Sequence, residues 1–192
     1  NNRKFHLRVY VLAIGALKVY VYHDILALFS RDRYNNDSSL SSVENFDLKC
    51  HITNTCFQLE HLDKNNNSNE FKKVEDECVK RFWELELDKA KLDLIFNQIK
   101  DCTGRIFECL ICEPTVFQPL ENAFELFGFD YLVDQNFNCF FLESNAFPDF
   151  KQTGDNLNSL IDCLFYQTIS LTCDEFFDLG KVCDPTKMSL VY

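Results

Sequence analysis

Two carboxylates and an amide sit at spacings that could assemble a site: Asp130, Glu143 and Asn145. The flanking runs, 127–133 and 139–144, are rich in aromatic and β-branched residues, and Asp134-Gln135-Asn136-Phe137-Asn138 between them is turn chemistry. The stretch reads as a β-hairpin in which Val133 meets Cys139 or Phe140, and Asp130 lands beside Leu142 or Glu143. Asn145 lies two residues beyond Glu143, so a strand's period of two puts both side chains on one face. Like charges close together across a strand pair destabilise it, and the neighbours are apolar, so something should offset the charge. Hard oxygen donors without sulfur or imidazole suit Mg²⁺, which takes one or two carboxylates plus substrate phosphates. A hairpin whose acids simply face water is equally compatible with the spacing, and strand register decides between the two.

The elements that must position this hairpin follow from the pattern elsewhere. Residues 3–12 alternate, with Lys4, His6 and Arg8 on one side and Phe5, Leu7 and Val9 on the other. That is a half-buried strand with a cationic face. On its own the row reads as a solvated sheet face. Beside the Asp130/Glu143/Asn145 cluster it would supply the positive partners that metal-bound phosphate oxygens need. Gly15 breaks the alternation and residues 18–22 resume it, so a hairpin is expected there. Asp24 to Ser30 reads as a short helix capped by Asp24.

Residues 31–47 and 62–75 are polar, turn-rich or Asn-rich and are expected to be surface loops or insertions. Between them lies His51-Ile52-Thr53-Asn54, whose Thr and Asn could touch a nucleotide or merely cap a turn, the cap being the plainer reading of the pattern. From about Asp76 to Cys112 the apolar period is helical, with Thr103-Gly104 a candidate interruption. Glu113-Pro114 ends that run. A last helix is expected over 156–177, with Leu157, Leu160, Ile161, Leu164, Phe165 and Ile169 packing on the sheet.

Bulk composition narrows the classes. The 192 residues, 46% hydrophobic and including 20 Phe, are enough for one packed domain or most of a larger one. A net charge of −11 disfavours a nonspecific binder of nucleic-acid backbone. The longest nearly unbroken apolar run, 9–17, is too short to cross a bilayer, so no membrane partner is expected. The 10 Cys are scattered through apolar segments and read as reduced core thiols. Cys109 and Cys112 have metal spacing but no second Cys/His pair at zinc-finger distance. Starting on Asn-Asn-Arg, the chain is expected to be a piece of something longer.

Four stretches taken together resemble one family. Arg3-Lys4-Phe5-His6-Leu7-Arg8 is similar to the R-K-F-D-x-R segment of tubulin tyrosine ligase-like proteins, and His51-Ile52-Thr53-Asn54 to their H-L-T-N. Phe127-Gly128-Phe129-Asp130 and Leu142-Glu143-Ser144-Asn145 resemble their F-G-x-D and L-E-x-N pair. The order matches, and the wording looks most like the fungal branch, one member of which is associated with P-bodies. The resemblance implies an α+β chain: the C-terminal part of an ATP-grasp fold, mainly antiparallel sheet flanked by helices, with the upstream lobe lying outside 1–192. It implies ATP-dependent carboxylate–amine ligation, in which an acyl phosphate formed on an acceptor protein, tubulin or another, is attacked by the amine of an amino acid. By similarity, Asp130, Glu143 and Asn145 would hold Mg²⁺, Lys4 would touch the ribose or phosphate region of ATP, and Arg8 the transferred phosphoryl. His6, Thr53 and Asn54 would line the nucleotide site.

Two departures stand out. His6 occupies a position where many members have Asp. Leu28 stands where tubulin-modifying members carry an Arg that grips the acceptor, and a Leu cannot bind a carboxylate. The resemblance therefore implies either a ligase in the full-length protein, incomplete as this chain alone, or a degenerate domain kept as an interaction module with mRNA-decay proteins. The implied location is cytoplasmic, in P-bodies.

Overall fold

The computed structural model describes residues 2–34, 48–54, 57, 74, 76–150, 157–178 and 186–192. Its elements are β1 (Phe5–Ile14), β2 (Lys18–Tyr22), β3 (Leu26–Phe29), β4 (Val79–Arg81), α1 (Lys89–Leu110), β5 (Phe124–Val133), β6 (Cys139–Asn145), α2 (Asn158–Phe177) and β7 (Met188–Leu190). The strands form one antiparallel sheet around β1. On one edge of β1, β3 pairs with Phe5–Arg8 and β2 with Val11–Ile14. On the other edge, β5 pairs with Leu7–Ile14 and leads on to β6. β4 and β7 extend β3 and β2.

Alternation along β1 divides the core in two. Leu7, Val9, Val11 and Ala13 meet Leu92, Ile95, Phe96, Ile99 and Phe107 of α1, together with Phe127, Phe129 and Tyr131 of β5. Tyr10, Leu12 and Ile14 point the other way, into Leu157, Leu160, Ile161 and Leu164 at the start of α2. α2 covers only part of that second face. The uncovered part, toward the beginning of β1, carries His6 and Arg8.

Three expectations need correction. Within residues 24–30, Leu26–Phe29 form strand β3, not a helix. Leu26, Ala27 and Leu28 are buried on both faces of the sheet, and a short, continuously apolar run is what such a strand requires. Asp24 caps nothing; it pairs with Lys187 at 2.5 Å. The helix expected from about Asp76 to Cys112 is not continuous either: residues 76–78 are helical, but the helix stops there. Val79–Arg81 completes the sheet beside β3, and α1 starts only at Lys89. There Asp88 accepts a hydrogen bond from the Lys91 N–H at 2.9 Å, the N-cap contact that satisfies an otherwise orphaned donor. Finally, Phe165 and Ile169 of α2 face outward, 41% and 57% exposed, although Phe165 lies against the Phe150 ring. Of 31–47 and 62–75, only 31–34 and Val74 are among the described residues.

Thr103-Gly104 does not interrupt α1, and the structure gives the glycine another purpose. A Cβ on Gly104 would lie 2.7 Å from the Val191 carbonyl oxygen, just past β7. Ala would improve helix propensity by about 1 kcal/mol, but the overpacking it forces costs about 1–3 kcal/mol. Gly104→Ala is therefore expected to lower stability by about 1 kcal/mol in urea unfolding, leaving ligand binding intact.

Candidate active site

The strand-borne side chains of the site are placed by the ladders next to them. Arg8 lies opposite Asp130 across β1 and β5, and Asp130 lies opposite Glu143 across β5 and β6. Between Asp130 and Tyr131 the β5–β6 register shifts: Tyr131 pairs with Phe141, while Asp130 pairs with Glu143. Leu142 is therefore the extra residue of a β-bulge, which bends the strand and lets neighbouring side chains share a face. Leu142 and Glu143 both line the pocket as a result. Asn145 pairs with Gly128, and its amide donates to Glu143 Oε1 at 3.3 Å.

These residues surround a cavity of about 390 Å³ lined by Lys4, His6, Arg8, Thr53, Asn54, Asp130 and Glu143 with apolar walls of Leu28, Ile52, Leu132 and Leu142. Seven of the eight residues expected at the site thus line one cavity, and Asn145 bonds to its wall. Of the Lys4/His6/Arg8 row, Lys4 is exposed, but His6 and Arg8 are not solvated. His6 is 9% exposed and the Arg8 side chain 15%, because the β5–β6 hairpin and the 51–54 segment cover them. Of the apolar walls, Leu28 was singled out from the sequence, as a departure from the family pattern, whereas Ile52 and Leu132 were not. Leu132 could have been, since it lies two residues from Asp130 on the same strand.

The electrostatics centre on Asp130, whose side chain is 7% exposed. Arg8 grips it with both ends of its fork, Nε to Oδ1 at 2.5 Å and Nη2 to Oδ2 at 3.0 Å. Burial works against the Arg8 charge, yet the hydrogen bond and charge of Asp130 outweigh it and hold Arg8 above its usual pKa. Burial also pushes the neighbouring Tyr10 hydroxyl up to about 12. The His6 ring is pulled below its usual value, mainly by burial, with Asp130 opposing. Its Nδ1 lies 2.6 Å from the Thr53 hydroxyl. Its Nε2 stands 3.8 Å from Asp130 and has no hydrogen-bond partner among the described residues. A bare Nε2 lone pair would face a carboxylate, so Nε2 carries the proton and Thr53 donates to Nδ1. Asn54 accepts from the Phe57 N–H at 3.3 Å, the cap role that the pattern suggested.

The donor set fits a hard divalent cation. Asp130 and Glu143 supply two carboxylates and Asn145 an amide oxygen, and Asp130 already binds a positive group, the guanidinium. Among the described residues no three His, Cys, Asp or Glu side chains cluster as a metal site. The remaining coordination would have to come from ligand oxygens or water, the usual arrangement for Mg²⁺ with a bound phosphate.

A family model described as the tubulin-tyrosine ligase family matches residues 1–178. The chain belongs to that family. It is 37% identical over 179 residues to a probable tubulin–tyrosine ligase of Schizosaccharomyces pombe, covering 93% of this chain and 40% of that protein. It is 39% identical over 184 residues to the probable tubulin–tyrosine ligase PBY1 of Saccharomyces cerevisiae, covering 94% of this chain and 23% of that one. A probable tubulin polyglutamylase of Mus musculus is 29% identical over 182 residues. Among solved structures, the C-terminal domain of K. lactis Pby1 superposes with a TM-score of 0.77 at 31% identity, covering all of this chain and 48% of that one. That relative is described as an ATP-grasp enzyme interacting with the mRNA decapping enzyme Dcp2. The fold is thus α+β and ATP-grasp in type, as the resemblance implied, and the chain spans less than half the length of these relatives. Among the described residues no helix is long and apolar enough to cross a membrane.

Proposed function

We propose that this tubulin-tyrosine ligase family domain is the C-terminal portion of an ATP- and Mg²⁺-dependent carboxylate–amine ligase that adds an amino acid to a carboxylate of an acceptor protein. The observation that carries the reading is the convergence of Arg8, Asp130 and Glu143 on one cavity. Asp130, Glu143 and Asn145 would hold Mg²⁺, which neutralises phosphate charge when bound. Lys4 would contact the ribose or phosphates of ATP, with His6, Thr53 and Asn54 lining the nucleotide. The acceptor carboxylate attacks the γ-phosphorus and ADP leaves. The amine then attacks the acyl carbon and inorganic phosphate leaves as the amide bond closes. Arg8 would stabilise charge on the transferred phosphoryl, a step that depends on in-line positioning and charge neutralisation more than on a covalent nucleophile. The upstream lobe, outside residues 1–192, would complete the site.

On the full-length protein, a nonhydrolysable ATP analogue is expected to raise the melting temperature only when Mg²⁺ is present, and Glu143→Gln is expected to abolish the shift. No Mg²⁺-dependent stabilisation in the parent would remove the reading.

Leu28 favours a second reading. It lies directly opposite His6 in the β1–β3 ladder and puts an apolar wall on the cavity, where a carboxylate-binding Arg would favour tubulin. Together with the relative's interaction with Dcp2, this supports a catalytically degenerate domain acting as an interaction module of mRNA decay, in cytoplasmic P-bodies. If Dcp2 capture collapses in Asp130→Asn/Glu143→Gln while the fold persists, a pure scaffold is untenable.

A further inference from the structure

We propose that the Arg8–Asp130 pair is a cation-operated latch: Arg8 closes Asp130 until a divalent cation claims that carboxylate, and the freed guanidinium then turns to the phosphoryl group. This rests on the nucleotide-binding reading above and adds a mode of regulation to the same site. Both Asp130 oxygens are taken by the guanidinium fork, and a cation bridging Asp130 and Glu143 needs lone pairs on that same edge. The two positive groups also repel, so one carboxylate cannot serve both at full strength. Glu143 is the open half of the pair. It is exposed, and the Asn145 amide donates to it.

The Arg8 side chain passes over Gly128, where a Cβ would lie 3.3 Å from Arg8 Cδ. The guanidinium already lines the cavity, so turning it away from Asp130 keeps it inside. Binding of cation and of phosphate are then coupled through one side chain, and coupling of this kind is reciprocal: each ligand tightens the other.

The latch makes an unusual demand: removing a positive charge must improve binding of the cation alone, and by more than a general field effect. The test is Mn²⁺ binding to the full-length protein, without nucleotide, by calorimetry and electron paramagnetic resonance. Arg8→Met is expected to bind Mn²⁺ about ten-fold more tightly than the parent and to bind a nonhydrolysable ATP analogue with Mn²⁺ more weakly. Arg8→Lys keeps the charge but cannot form the paired hydrogen bonds, and is expected to gain about three-fold for Mn²⁺ alone. This second variant separates the latch from simple charge removal and keeps the test decisive if Arg8→Met does not fold. If the parent binds the Mn²⁺–nucleotide pair but Arg8→Lys shows no gain for Mn²⁺ alone, the latch is overturned and the ligase reading survives. If the parent binds no nucleotide with any divalent cation, both fall.

Discussion

Asp130→Asn is expected to lower the stability of the domain by about 3 kcal/mol and to eliminate any Mg²⁺-dependent response to nucleotide. The two effects share one cause. Arg8 is largely buried and spends both ends of its fork on Asp130. Removing one partner of such a pair leaves an uncompensated charge in a medium that solvates it poorly, which costs far more than the intact pair contributes. Asn can still accept one of the two hydrogen bonds, so the loss falls at the lower end of the usual 3–5 kcal/mol range. Urea unfolding followed through the single Trp, Trp83, would measure it. The double variant Arg8→Met/Asp130→Asn should recover part of the loss, because neither partner then carries a stranded charge. If the two single losses simply add, Arg8 and Asp130 do not act as a pair.

Gly128→Ala should disable the site without changing any charge. The added Cβ would come within 2.9 Å of Pro148 Cβ and 3.3 Å of Arg8 Cδ. The proline ring cannot step aside by rotating, so the strain falls on Arg8 or on the β5 backbone. Overpacking of this kind costs about 1–3 kcal/mol, similar to the overpacking expected for Gly104→Ala in α1. The functional outcomes should diverge. Gly128→Ala is expected to weaken binding of the ATP analogue with Mg²⁺ by at least about ten-fold through misplacement of Arg8, while Gly104→Ala leaves it unchanged. Equal binding in the two variants would mean that the Arg8 position does not matter to the ligand.

Much of the site was legible because its signals are local. The β5–β6 hairpin announces itself by runs rich in aromatic and β-branched residues on both arms and by Asp134 between them, whose carboxylate accepts the N–H groups of Asn136 and Asn138. The turn fixes Val133 opposite Cys139, one of the two registers anticipated. The order of the four family motifs then gives the fold. Less was legible where the deciding partner is remote. The run around Leu26–Phe29 is too short for periodicity to separate strand from helix, and its assignment depends on β1 and β4 on either side. The alternation of Lys4, His6 and Arg8 reads the same whether water or protein covers it. The covering residue Asp130 lies 122 positions from Arg8, and no local pattern reports that contact.

The one-residue slip at Leu142 has a consequence for how such domains are recognised. Were the ladder continued without it, Leu142 would sit opposite Asp130, and Glu143 would rotate beneath the sheet among Phe107, Phe127 and Phe129. The letters L-E-S-N would be unchanged, and a motif search would score them the same. Whether a relative keeps a working acid at this place is therefore a matter of the strand's phase, which spelling alone does not record.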